Sequence, residues 1–156
     1  MFEKVKIINC PIYMNKSDIK KCIDLLGKDY TKIKCNIYFI NNEIDFKNYA
    51  KDKLEDSYYE YKSGSLHGLC CSESSGASTI FVFIKNTISS YGVERCYYQK
   101  SILRVLYHEL RHAYQHKELN LPDYKKELDA DMFAAKIMQI YDKEINEIFK
   151  NYELYK

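Results

Sequence analysis

Residues 97–116 read YYQKSILRVLYHELRHAYQH, and residues 123–149 read DYKKELDADMFAAKIMQIYDKEINEIF. Neither stretch contains Gly or Pro. In the first, Ile102, Leu106, Leu110 and Ala113 recur at three- and four-residue spacing, the period of an amphipathic helix. The second is rich in Ala, Leu, Met, Lys and Glu, all good helix formers, with Asp123 placed to cap it after Pro122. Only a short segment, roughly Glu118–Pro122, separates them. Two helices joined so closely pack antiparallel as an αα-hairpin.

Within the first helix, His108 and His112 lie one turn apart on one face, where both reach a single metal ion. Glu109 stands beside them, where a general base for water is needed. The pattern H-E-x-x-H fixes only three residues and arises by accident on the order of once in a few hundred chains of this length. The second helix supplies the context. Residues facing each other across a hairpin have indices with a constant sum. The pairs His112/Glu127 and His108/Asp131 share that sum, and Glu127 and Asp131 are four apart on one face. Asp129 points about 200° around the helix from Glu127. Glu127 is therefore expected as third metal ligand. Asp131 is expected to orient His108 through its other ring nitrogen, as carboxylates do for ligating histidines. Three protein ligands with one open position describe a catalytic zinc site.

The chain resembles the gluzincin zinc peptidases at these residues, which carry HExxH on one helix and a Glu on the next. It is most similar to the small ImmA/IrrE-type metallopeptidases of bacteria, phages and mobile elements. Their second motif, E-x-E-A-N-x-F-A, stands here as Glu127-Leu-Asp129-Ala-Asp131-Met-Phe133-Ala134. The likeness covers roughly residues 100–138. It implies a zincin-like fold and a Zn2+-dependent endopeptidase. Glu109 would take a proton from the attacking water and return it to the leaving amine. The resemblance also implies a regulatory protein as substrate, such as a mobile-element repressor, laid as an added strand on a sheet edge near Leu66–Cys71. A further donor should stabilise the oxyanion. His67, His116, Tyr114 and the other tyrosines are open choices, because the chain has 16 tyrosines.

His116 extends the spacing 108, 112, 116 but lies about 12 Å along the axis from His108 and cannot share its metal. It reads as a helix-end residue near the C-terminal dipole. A non-catalytic, zinc-stabilised interaction domain is the competing reading, and Glu109 argues against it because a structural site has no use for that residue. A DNA-associated protease is disfavoured by a net charge of only +2, with 24 basic and 22 acidic residues.

The remaining sequence sets the frame. At 156 residues the chain is expected to form a single domain, 1–156, with a real core. No apolar run is long enough to cross a membrane, and MFEKVKIINCPIY lacks the apolar core of a signal peptide, so a cytoplasmic protein is expected. The six cysteines (10, 22, 35, 70, 71 and 96) form no C-x-x-C pair and read as free thiols. Strands are expected at residues 4–8, 33–40 and 79–85, and at a sheet edge over 57–62 and 66–71. Helices are expected over Lys16–Leu26, opened by Asn15 or Ser17 and closed by Gly27, and over Glu43–Leu54. SESSGAS (72–78) is turn chemistry, and Asn86–Gly92 is read as a loop. The whole is an α+β protein: a small N-terminal β-sheet with helices, then the αα-hairpin carrying the metal site.

Overall fold

A computed structural model describes residues 4–91 and 98–152. Met1–Glu3, Gly92, Cys96 and Tyr97, which figure in the sequence reading, lie outside the described residues. The described chain is α+β, with a small mixed sheet of four strands and eight α-helices. In chain order these are β1 (Val5–Ile8), α1 (Lys16–Asp24), α2 (Lys28–Thr31), β2 (Cys35–Ile40), α3 (Glu43–Asp45), α4 (Tyr58–Ser63), β3 (Gly68–Ser72), β4 (Ser78–Phe83), α5 (Ile84–Tyr91), α6 (Tyr98–Glu118), α7 (Asp123–Ile140) and α8 (Asp142–Phe149).

The sheet order is β1-β2-β4-β3. The first three strands run parallel and β3 is antiparallel to β4, leaving β3 on the edge beside α6. Alternation along the strands sorts side chains onto two faces. Ile7, Ile37, Phe39, Ile80 and Val82 pack with α1, α6 and α8 in the larger core. Ile40, Phe81 and Phe83 face the other way and pack with Phe46, Ala50, Leu54 and Tyr61. The buried run of β4 therefore serves two cores at once, which is why it is apolar on both faces.

Asn15 caps α1 by accepting from the Asp18 N–H at 2.8 Å. Five expectations need correction. Residues 57–62, read as a strand from their tyrosines, form α4, because Tyr58 and Tyr61, three apart, pack together against Phe46. Tertiary packing overrides the weak β preference. Residues 86–91, read as a loop, belong to α5. The Asn86 side chain donates to the carbonyls of Tyr61 and Leu66 at 2.9 Å, and Thr87 donates to the Phe83 carbonyl at 2.7 Å. Those bonds absorb the polar groups that make Asn and Thr poor helix formers. The segment 123–149 is two helices, broken at Tyr141 (φ −103°, ψ 20°), and the break lets Ile145 and Phe149 re-enter the larger core. Pro122, not Asp123, occupies the cap of α7; Asp123 is its first helical residue and pairs with Lys126 at 2.8 Å. The segment 43–54, read as one helix, is α3 followed by a π-helical turn at Phe46–Ala50.

Among the described residues no helix is long and apolar enough to cross a membrane.

Candidate metal centre

The αα-hairpin forms as its sequence requires. Helix α6 buries Ile102, Leu103, Leu106, Leu110 and Ala113, and α7 buries Ala130 and Ala134 against it. Small residues on α7 let the two helices approach closely and bring the polar residues between them into register.

Across that seam Glu127 bridges the two histidines. Its Oε1 lies 2.8 Å from His112 Nε2 and its Oε2 lies 3.2 Å from His108 Nε2. The two Nε2 atoms are themselves 3.1 Å apart. Around a tetrahedral zinc ion with ligand distances near 2.05 Å, donor atoms stand about 3.3 Å from one another. His108, His112 and Glu127 offer donor atoms all within 4.8 Å of one another, so the trio fits one ion with little adjustment. Two imidazoles and a carboxylate suit zinc, though other divalent metals accept the same set.

The other ring nitrogens decide whether Nε2 is free to bind. His108 Nδ1 stands 2.8 Å from Asp131 Oδ1, a carboxylate that only accepts, so Nδ1 carries the proton. His112 Nδ1 stands 2.9 Å from Gln115 Oε1. The Gln115 amide has no freedom to turn over. Its Nε2 donates to the Lys126 carbonyl at 2.9 Å and to Asp129 Oδ2 at 2.8 Å, both obligate acceptors. Oε1 is thereby left facing His112, and His112 also carries its proton on Nδ1. Both histidines present an Nε2 lone pair to the same point.

Glu109 is 6% exposed and lies on the sheet side of the pair, its Oε1 3.9 Å from His108 Nε2. Burial first, and then the negative charges of Glu127 and Asp131, push its carboxyl up to about 8. Strand β3 closes over it. A Cβ built on Gly68 would meet Val105 Cγ1 at 2.7 Å and Glu109 Cγ at 2.9 Å, so only glycine permits this approach. Between β3, α6 and α7 runs an open cleft of about 600 Å³, lined by His108, Glu109, His112 and Glu127. The carboxylate side is the wet one: the Glu127 side chain is 73% exposed, against 17% for His112.

The free edge of β3 has a defined set of backbone groups. The Phe83 N–H donates to the His67 carbonyl at 2.8 Å, so His67 and Phe83 are a hydrogen-bonded pair. In an antiparallel ladder such pairs alternate. Leu69 and Cys71 therefore spend their backbone groups on Phe81 and Thr79. Gly68, Cys70 and Ser72 direct N–H and C=O outward.

The structure brings His108, Glu109, His112, Glu127 and Asp131 together at the seam. Of the sequence reading's oxyanion candidates, His67 and His116 line the cleft. His116 Nε2 is engaged at 2.9 Å with the Glu73 carbonyl, which ties the end of α6 to the β3–β4 turn. Tyr114 points away from the cleft, its ring stacked at 4.9 Å on Tyr30 and under the Arg111 guanidinium at 5.0 Å. His67 is half-buried, and burial holds its imidazole below its usual range. The reading missed Gln115, although its three-residue offset from His112 puts both on one helix face. It also missed Arg111, which grips Asp129 at 2.8 and 3.2 Å. The described cysteines, 10, 22, 35, 70 and 71, are free thiols.

Compared with protein-family models, curated proteins and solved structures, the chain matches none.

Proposed function

We propose that this chain is a zinc-dependent endopeptidase of zincin-like fold, of the gluzincin kind that the HExxH and Glu127–Asp131 motifs resemble. The observation that carries the reading is the placement of Glu109. The metal trio alone would suit a structural site. A buried carboxylate beside that trio, opening on a cleft, has no structural task there.

His108, His112 and Glu127 would hold the ion, with Asp131 and Gln115 setting the two rings. When bound there, zinc lowers the pKa of a coordinated water towards neutrality and polarises a carbonyl group. The chain's own residues do the rest. Glu109, buried beside the pair and facing the cleft, is placed to act as the base. It accepts the proton of the attacking water and delivers it to the leaving amine. His67, which lines the cleft, is the candidate for stabilising the oxyanion as the carbonyl becomes tetrahedral. An extended peptide lies along β3 and bonds to the outward backbone groups of Gly68 and Cys70. By family resemblance the substrate is a regulatory protein of a bacterium, phage or mobile element.

The test is metal content together with hydrolysis. Wild-type protein purified without a metal-binding tag should carry about one zinc per chain, and His112→Ala should lose it. Glu109→Gln should retain the zinc and lose hydrolysis of unfolded protein substrates by a factor on the order of 10² or more. A Glu109→Gln variant as active as wild type would overturn the assignment of the base. A zinc-loaded wild type that cleaves no peptide would favour the interaction-domain reading. Absence of zinc uptake would overturn both.

A further inference from the structure

Gln115 lies buried at the centre of the hairpin seam, tied to both helices. It is 1% exposed, within reach of three partners: His112 Nδ1, the Lys126 carbonyl and Asp129 Oδ2. Asp129 is in turn immobilised. The Arg111 guanidinium grips both its oxygens and donates through Nη1 to the Tyr30 hydroxyl at 2.8 Å. That guanidinium lies over the rings of Tyr114 and Phe133, at 5.0 and 4.9 Å. Tyr30 stacks on the same two rings, at 4.9 and 5.2 Å. A chain of contacts thus runs from the Tyr30, Tyr114 and Phe133 cluster in the larger core, through Arg111, Asp129 and Gln115, to the ring of His112.

We infer that Gln115, oriented by Asp129 and the Arg111 clamp, is the positioning residue of His112, doing for that ring through an amide what Asp131 does for His108 through a carboxylate. The inference rests on the metal reading above and deepens it. The two supports are chemically unequal. The carboxylate of Asp131 is a charged acceptor and 65% exposed; the amide of Gln115 is neutral and buried. A charged acceptor makes the imidazole more basic than a neutral one. With Glu127 already adding one negative charge to the donor set, a neutral acceptor at His112 sets that ring without adding another. Both Asp129 oxygens are held by the Arg111 guanidinium, at 2.8 and 3.2 Å, which aims Oδ2 at the Gln115 N–H. The amide direction is therefore not a free variable of the site.

The experiment compares wild type, Gln115→Met and Asp129→Asn in the full chain, with zinc alone as the probe. Met keeps the length and apolar bulk of Gln115 and removes its acceptor. Asn at 129 keeps the volume but offers the Gln115 amide a competing donor. Zinc affinity, measured by competition with a chromophoric chelator, should fall about 10- to 100-fold in Gln115→Met and by a smaller factor in Asp129→Asn. A second readout separates positioning from general damage. In the zinc-loaded protein each ligating ring keeps an Nδ1–H proton visible by NMR. In Gln115→Met the His112 proton should exchange quickly with water, while that of His108, bonded to Asp131, stays protected. Should Gln115→Met fail to fold, Asp129→Asn carries both readouts. Zinc affinity within twofold of wild type, with the His112 proton still protected, would overturn the inference and leave the metal reading intact. Loss of protection at both rings would assign Gln115 a purely structural role. A wild-type chain that takes up no zinc would overturn the inference and the metal reading together.

Discussion

Gly68 and Glu109 touch across the join between β3 and α6: a side chain at 68 would begin 2.9 Å from Glu109 Cγ and 3.0 Å from its Oε1. This glycine is needed for space. Gly68→Ala should therefore push Val105 and Glu109 aside, at a cost of about 1–3 kcal/mol. For a chain of this size that corresponds to a melting temperature lower by several degrees. Because the displaced group is the proposed base, turnover should fall by more than the stability loss explains. Calorimetry beside a peptidase assay reads both, and a variant with unchanged melting and turnover would contradict the packing described.

Removing the metal should soften the hairpin. An ion that binds only the folded chain stabilises it by about 2.7 kcal/mol at a hundredfold excess over its dissociation constant. Adding a strong chelator should lower the melting temperature of wild type, and restoring zinc should raise it. His112→Ala should respond to neither. A wild type whose melting ignores both additions would show that the trio holds no ion.

The metal-free protein should have a distinctive pH dependence. Glu109 titrates at about 8 in the fold, raised by burial and then by Glu127 and Asp131, against 4.5 when unperturbed. Between those values the folded chain binds a proton that the unfolded chain has released. Unfolding free energy therefore falls as pH rises through this window, by an amount on the order of a few kcal/mol. Glu109→Gln cannot ionise there and should lack that slope. Urea denaturation of both chelated proteins at pH 5 and pH 8 tests this. Parallel losses of stability would rule out Glu109 as the source.

Why the site was legible while parts of the fold were not follows from where the information lies. Glu127 and Asp131 fell opposite His112 and His108 because helix period and hairpin symmetry are rigid geometry, which residue spacing alone encodes. The 2.8 Å approaches of Glu127 Oε1 to His112 Nε2 and of Asp131 Oδ1 to His108 Nδ1 are the outcome. The tyrosines of α4 and the Asn86–Thr87 pair of α5 are different. Their local preferences point away from helix, and only partners distant in sequence, such as Phe46 and the Leu66 carbonyl, reverse them. Gln115 was hidden for a related reason: its amide is informative only once Asp129 and the Lys126 carbonyl fix its direction.

The outward backbone groups of β3 permit a test of how substrate lies in the cleft. Cys70 directs its N–H to the free edge, whereas Leu69 is committed to Phe81 on β4. Proline removes an N–H and is tolerated on edge strands when that N–H faces outward. Cys70→Pro should therefore fold and still bind zinc, yet lose one bond to an extended substrate. One such bond contributes about 1 kcal/mol, roughly a fivefold fall in kcat/KM. Cys70→Ala controls for loss of the thiol, whose contact with Ser72 Oγ at 3.7 Å is weak, and should cleave as wild type does. Leu69→Pro, by contrast, breaks the β3–β4 ladder and should lower stability before it affects binding. Equal kcat/KM for a folded, zinc-loaded Cys70→Pro and for Cys70→Ala would mean that the peptide does not pair with this edge at Cys70.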